Sequence, residues 1–91
     1  MEIQAIAKEI FELKSGTTSR GNTWKQQDIL IETLDEKYPK KMVLQCRGRS
    51  VEDLSHVTIG CKYQFSFDID ANEWRGRWFN TLCCHDISPI Q

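Results

Sequence analysis

Residues 60–87 read GCKYQFSFDIDANEWRGRWFNTLCCHDI. Cys61, Tyr63, Phe65, Phe67 and Ile69 alternate with Lys62, Gln64, Ser66, Asp68 and Asp70. Period two is the side-chain repeat of a strand, so the first set predicts a core face and the second a solvent face. The polar run Ala71-Asn72-Glu73-Trp74-Arg75-Gly76-Arg77 predicts a hairpin, and a last strand follows from Trp78 to about Ile87. Trp78 and Phe79 are neighbours and cannot both face the core. With Asn80 as its same-face neighbour, Trp78 is the one expected outside.

Upstream, residues 2–14 (EIQAIAKEIFELK) alternate imperfectly: Ile3, Ala5 and Ala7 share one parity, Ile6 and Ile10 the other. Such a pattern predicts one long strand that bends or bulges. Residues 15–22 (SGTTSRGN) have loop composition, and a second strand runs from Thr23 to Thr33 with Gln27, Ile29 and Ile31 inward. After a turn over Asp35 to Pro39, Lys41 to Arg47 alternates, with Met42, Leu44 and Cys46 in and Val43, Gln45 and Arg47 out. Ser50 with Asp53 three places on resembles a capping box and predicts a short helix to about His56. The order is three strands, a short helix, then two strands. It predicts an all-β fold, a five-stranded barrel of the oligonucleotide-binding (OB) type whose helix lies between strands three and four.

The 91 residues fit a single OB domain over 1–91. Twelve Lys and Arg against 13 Asp and Glu leave a net charge of −1, so the molecule as a whole does not attract phosphates and any nucleic-acid site must be a local patch. The N-terminus lacks a signal-peptide pattern and no run reaches the roughly 20 apolar residues of a membrane span, which predicts a cytoplasmic protein with no membrane partner. Cys46, Cys61, Cys83 and Cys84 show no framework spacing and are expected to be reduced thiols.

The stretches GNTWKQQ (21–27), YPKKMV (38–43) and above all FDIDANEWRGRWF (67–79) resemble domain-of-unknown-function family 3127, a small OB-fold family, along nearly the whole chain. The most specific match is the last hairpin, where Phe67, Asp68, Ile69, Glu73, Trp74, Gly76, Arg77, Trp78 and Phe79 meet the family pattern. That family is similar to bacterial single-stranded DNA-binding and primosomal OB proteins, and the resemblance implies a nucleic-acid role. Arg47 and Arg49 stand where the family commonly has an aromatic and an acidic residue.

OB domains hold single strands across the second and third strands and between two flanking loops, with aromatic rings for the bases and cations for the phosphates. The first loop and its exit bring Arg20, Trp24 and Lys25; the end of strand three brings Arg47 and Arg49; the last hairpin brings Trp74, Arg75, Arg77 and Trp78. Basic side chains at 37, 40, 41, 47 and 49 with no acid among them make this sector positive, and the hairpin from Asn72 to Trp78 is expected to face the basic end of strand three. Trp24 lies on the parity opposite Ile29, which predicts exposure unless a bulge turns it inward. Trp74 is read as a stacking residue or a lid, and Arg75 as a phosphate contact or a partner of Glu73.

Other chemistry fares worse. Zinc needs about four converging ligands. Cys83 and His85 share a face, Cys46 and Cys61 are expected inward from other strands, and vicinal Cys83 and Cys84 point apart, so no metal or other cofactor is expected. Asp68 and Asp70 share an outer face without a third ligand, and no nucleophile motif is present. The sequence therefore predicts a non-catalytic protein that binds single-stranded DNA or RNA as a homodimer or larger homo-oligomer. The alternative is an OB-fold protein-interaction or structural module.

Overall fold

The structure, a computed structural model, describes residues 1–90. Six strands and one helix follow in order: β1 (Glu2–Ile10), β2 (Lys14–Thr17), β3 (Thr23–Thr33), β4 (Lys41–Arg47), α1 (Arg49–Leu54), β5 (Lys62–Trp74) and β6 (Arg77–Pro89). β1 pairs with both β3 and β5, β3 with β4, β4 with β6, and β6 with β5, so five strands close into a ring. Every seam is antiparallel except β4–β6, which is parallel and joined at Gln45 and Cys83. The protein is an all-β, five-stranded OB-type barrel, with its short helix between the third and fourth barrel strands. β2 stands outside that count as a short ribbon added to the start of β3.

One bulge lets β1 serve two partners. Its register against β3 slips between Ala7 and Glu9, so Lys8 is the extra residue. Ala5 and Ala7 point into the core before the bulge, and Ile10 packs against it afterwards although its parity is opposite. This is the bend that the mixed parity of residues 2–14 predicts. The strand does not run on to Lys14, however. It stops at Ile10, and Phe11 is held to β3 through its N–H to the Asp28 carbonyl at 2.9 Å and its own carbonyl, which accepts from the Gln27 side chain at 2.9 Å. Nor is all of 15–22 loop: Lys14–Thr17 pairs with Thr23–Gln26, leaving Thr18 to Asn22 as the turn.

Ala5, Ala7, Ile29, Ile31, Leu44, Cys46 and Phe65 are wholly buried, with Phe67 and Tyr63 nearly so. Each large apolar side chain taken from water contributes about 1.5–3 kcal/mol. Tyr63 keeps its hydroxyl satisfied by accepting from the Thr58 N–H at 2.7 Å. The helix closes the barrel floor through Val51 and Leu54. It starts differently from the expected capping box. Gly48, at φ 56°, is the N-cap and supplies no side chain, while Ser50 turns inward and donates to the Cys84 carbonyl at 2.9 Å. A hydroxyl aimed at an otherwise buried carbonyl on β6 binds the helix to the wall.

The last hairpin is longer than its composition predicts. β5 and β6 remain paired out to Trp74 and Arg77, and only Arg75 and Gly76 form the turn, both with positive φ (51° and 79°). Such a two-residue turn suits the twist of a hairpin. β1 accompanies β5 only as far as Ser66, and every residue from Asp68 to Asn80 is exposed. The two strands therefore leave the barrel as a free arm. No helix among the described residues is long and apolar enough to cross a membrane.

Candidate nucleic-acid interface

Residues paired across a sheet share a face, so the register defines the barrel's outer surface. β3 presents Trp24, Gln26 and Asp28; β4 presents Arg47 opposite Gln26 and Gln45 opposite Asp28; β6 presents Cys83 beside Gln45. At one end of this surface lies a recess of about 630 Å³ lined by Thr23, Trp24, Lys25, Gln26, Arg47, Gly48 and Glu52. Trp24 is half-exposed, at 46%, as its parity predicts, and no bulge turns it into the core. Its indole lies across Gly16 on β2, where an added Cβ would fall 2.7 Å from the ring. Only glycine lets the ring lie that flat. Gly16 is thus the seat of the aromatic platform, which its loop-like neighbourhood concealed in the sequence.

The recess carries two cations, Lys25 and Arg47, against one acid, Glu52. Gly48 joins its two walls by donating its N–H to the Lys25 carbonyl at 3.4 Å. Of the nine residues the sequence singles out, three meet here: Trp24, Lys25 and Arg47. Arg49 follows Gly48 as the first helical residue and is exposed, and Arg20 sits exposed in the β2–β3 turn.

The remaining four are on the arm, and their position corrects the sequence reading. The hairpin was expected to face the basic end of β4, beside Arg47. Because β4 and β6 run parallel, with Gln45 beside Cys83, β6 residues below 83 extend toward Lys41 and away from Arg47. Arg77 lies six residues one way and Arg47 two the other, roughly 25 Å apart along the strands. The molecule's longest dimension is 46 Å, which accommodates both ends. The outer surface is therefore a track with one aromatic-cationic group at each end.

Parity on the arm also differs from expectation. Phe67 and Cys84 are an inward pair, so their face continues through Ile69 and Leu82 to Glu73 and Trp78. The outer face carries Asp68, Asp70, Asn72 and Trp74 with Cys83, Thr81, Phe79 and Arg77. Trp78 is on the inward parity and Phe79 on the outward one, the reverse of the prediction. Both are exposed, at 67% and 50%, because the arm has passed the end of the barrel wall. Trp74 is 64% exposed and covers nothing as a lid; Arg75 lies over its ring at 5.4 Å rather than pairing with Glu73.

The thiols and carboxylates stay apart. Cys61 is exposed, against the inward position expected for it, while Cys46 and Cys84 are buried together at the β4–β6 seam. A hydrogen bond to Cys84, reinforced by burial, pushes the Cys46 thiol well above its ordinary range. His85, at a bulge of β6, meets Asp68 at 2.5 Å on the outer face. Among the described residues no three His, Cys, Asp or Glu side chains converge.

Residues 2–88 match the model of the family described as Domain of unknown function (DUF3127). No curated protein matches the chain.

Proposed function

The chain belongs to the DUF3127 family, and we propose that it is a non-catalytic module that binds single-stranded nucleic acid, DNA foremost, as a homodimer or larger homo-oligomer. The observation that carries this reading is the recess where the Trp24 ring, seated on Gly16, stands beside Arg47 and Lys25. A ring held flat on glycine offers a base its open face without first having to be ordered. Stacking on such a face is worth about 1–3 kcal/mol per base whatever the base. The two cations neutralise phosphates by releasing counterions, which makes binding weaken as salt rises. Arg20 and Arg49 extend this end of the track. Trp74, Arg75 and Arg77 supply the other, with Arg75 already over the Trp74 ring, while Trp78 stands on the opposite face of the arm.

Titration of the intrinsic tryptophan fluorescence with oligothymidine tests the proposal. Quenching at low salt should fade with a slope of log K against log salt of about −0.7 per phosphate contacted. No quenching at low salt, or binding indifferent to salt, overturns it and leaves the exposed aromatics to a protein partner.

A further inference from the structure

The arm has two edges of different chemistry. From Asp68 to Trp74, β5 is hydrogen-bonded to β6 alone among the described residues, since Met1 and β1 stop at Phe67 and Ser66. From Arg77 to Leu82, β6 is hydrogen-bonded to β5 alone among the described residues, since β4 pairs with β6 at Cys83. An isolated two-stranded ribbon is at best marginally stable in water, and open edges invite pairing. Charge guards the first edge: Asp68, Asp70 and Glu73 would face like charges if two copies met there. The second, Arg77-Trp78-Phe79-Asn80-Thr81, holds no acid and is rich in strand-forming aromatic and branched residues.

We infer that two copies of this chain associate by antiparallel pairing of their β6 edges, residues 77–81, about a two-fold axis at Phe79. In that register Phe79 faces Phe79 of the second copy, Trp78 faces Asn80, and Arg77 faces Thr81. Cross-strand aromatic pairs of this kind stabilise antiparallel sheets. Charge complements the fit. Within each arm Thr81 is registered with Asp70, so Arg77 of one copy shares a row with Asp70 of the other, and the reciprocal row repeats it. Leu82 and Cys83 stay clear of the pairing, so the β4–β6 seam is undisturbed. Four exposed rings from Trp78 and Phe79 line the seam beside the paired backbone, a contact of the size found in weak, transient assemblies. The four-stranded sheet so formed gathers Trp74, Phe79 and Arg77 of both copies on one face.

This dimer gives a partner to the assembly proposed above and needs no nucleic acid. Sedimentation equilibrium of the full chain at about 100 µM, without nucleic acid, tests it. The wild type should show twice the 10.6 kDa monomer mass. Phe79→Lys, which sets like charges on the axis, should halve it, whereas Asn72→Lys, on the same face but the guarded edge, should leave the dimer intact. Both sites are exposed, and an unchanged far-ultraviolet circular dichroism spectrum verifies folding. In a Cys61→Ser background, Phe79→Cys should cross-link between copies in oxidised glutathione, and Asn72→Cys should not. A monomeric wild type, or dissociation and cross-linking that follow residue 72 instead of 79, overturns the inference. Because mass is read without oligonucleotide, its failure is distinct from a failure of strand binding.

Discussion

β5 and β6 each pass from the buried core of this molecule to a fully solvated arm. From Tyr63 to Phe67, β5 supplies the centre of the core, yet from Asp68 onward the same strand is wholly exposed, although Ile69 continues the parity of Phe65 and Phe67. Alternation alone cannot account for the change, since it runs through both regions. What changes is the company: β1 flanks β5 as far as Ser66, and β4 touches β6 at Cys83. A strand face becomes core only where other strands close over it. Beyond them, the same apolar residues stay exposed to solvent.

The sharpest way to break this contrast is to truncate one residue in each region. Phe65→Ala should cost about 3–5 kcal/mol in urea unfolding, because it empties a wholly enclosed site. Ile69→Ala, on the same face four residues on, should cost under about 1 kcal/mol, within the range of an exposed position. Equal losses would mean that the arm is folded back on the barrel.

Next in size is the split between stability and binding. Trp24→Ala should weaken oligothymidine binding by about 1–3 kcal/mol, or roughly 5- to 150-fold, while leaving the urea midpoint nearly unchanged. Gly16→Val should act the same way by displacing the ring from its seat. A large fall in stability for either would return Trp24 to the core.

Smaller again is the bond that joins helix to wall. Ser50→Ala leaves the Cys84 carbonyl without its side-chain donor and should lower stability by about 1–2 kcal/mol in the same unfolding assay. Helix capping, the role its sequence context suggests, would instead predict a loss that Gly48→Asn could recover. The smallest effect concerns rate rather than stability. With Ellman's reagent at neutral pH, Cys61 should react first and half-buried Cys83 more slowly, while Cys46 and Cys84 react only on unfolding. Burial and the mutual hydrogen bond keep the Cys46 thiol protonated, so raising the pH to 8 should not bring it into the fast class.

Much of the barrel was legible because its signals are local. Period two placed Ile29, Ile31, Leu44, Cys46, Phe65 and Phe67 on the inner face, and mixed parity in residues 2–14 located a bulge. The same local reading named Trp24, Lys25 and Arg47, and parity correctly left Trp24 exposed. It failed wherever a distant segment decided the outcome. Gly16 is a seat only because β2 folds back on β3, and Ser50 looks like a cap until the Cys84 carbonyl arrives beside it.

The arm marks the boundary between the two kinds of information. Local pattern was enough to show that residues 60–87 are two strands joined by a turn, which of their residues alternate, and that three strands and a short helix precede them in OB order. Tertiary structure alone decided that Phe67 is inside and Ile69 outside, that Trp78 and Phe79 are both exposed, and that the arm points away from Arg47. Strand periodicity is a property of the covalent chain, whereas burial and direction depend on where a neighbouring strand ends and which way it runs.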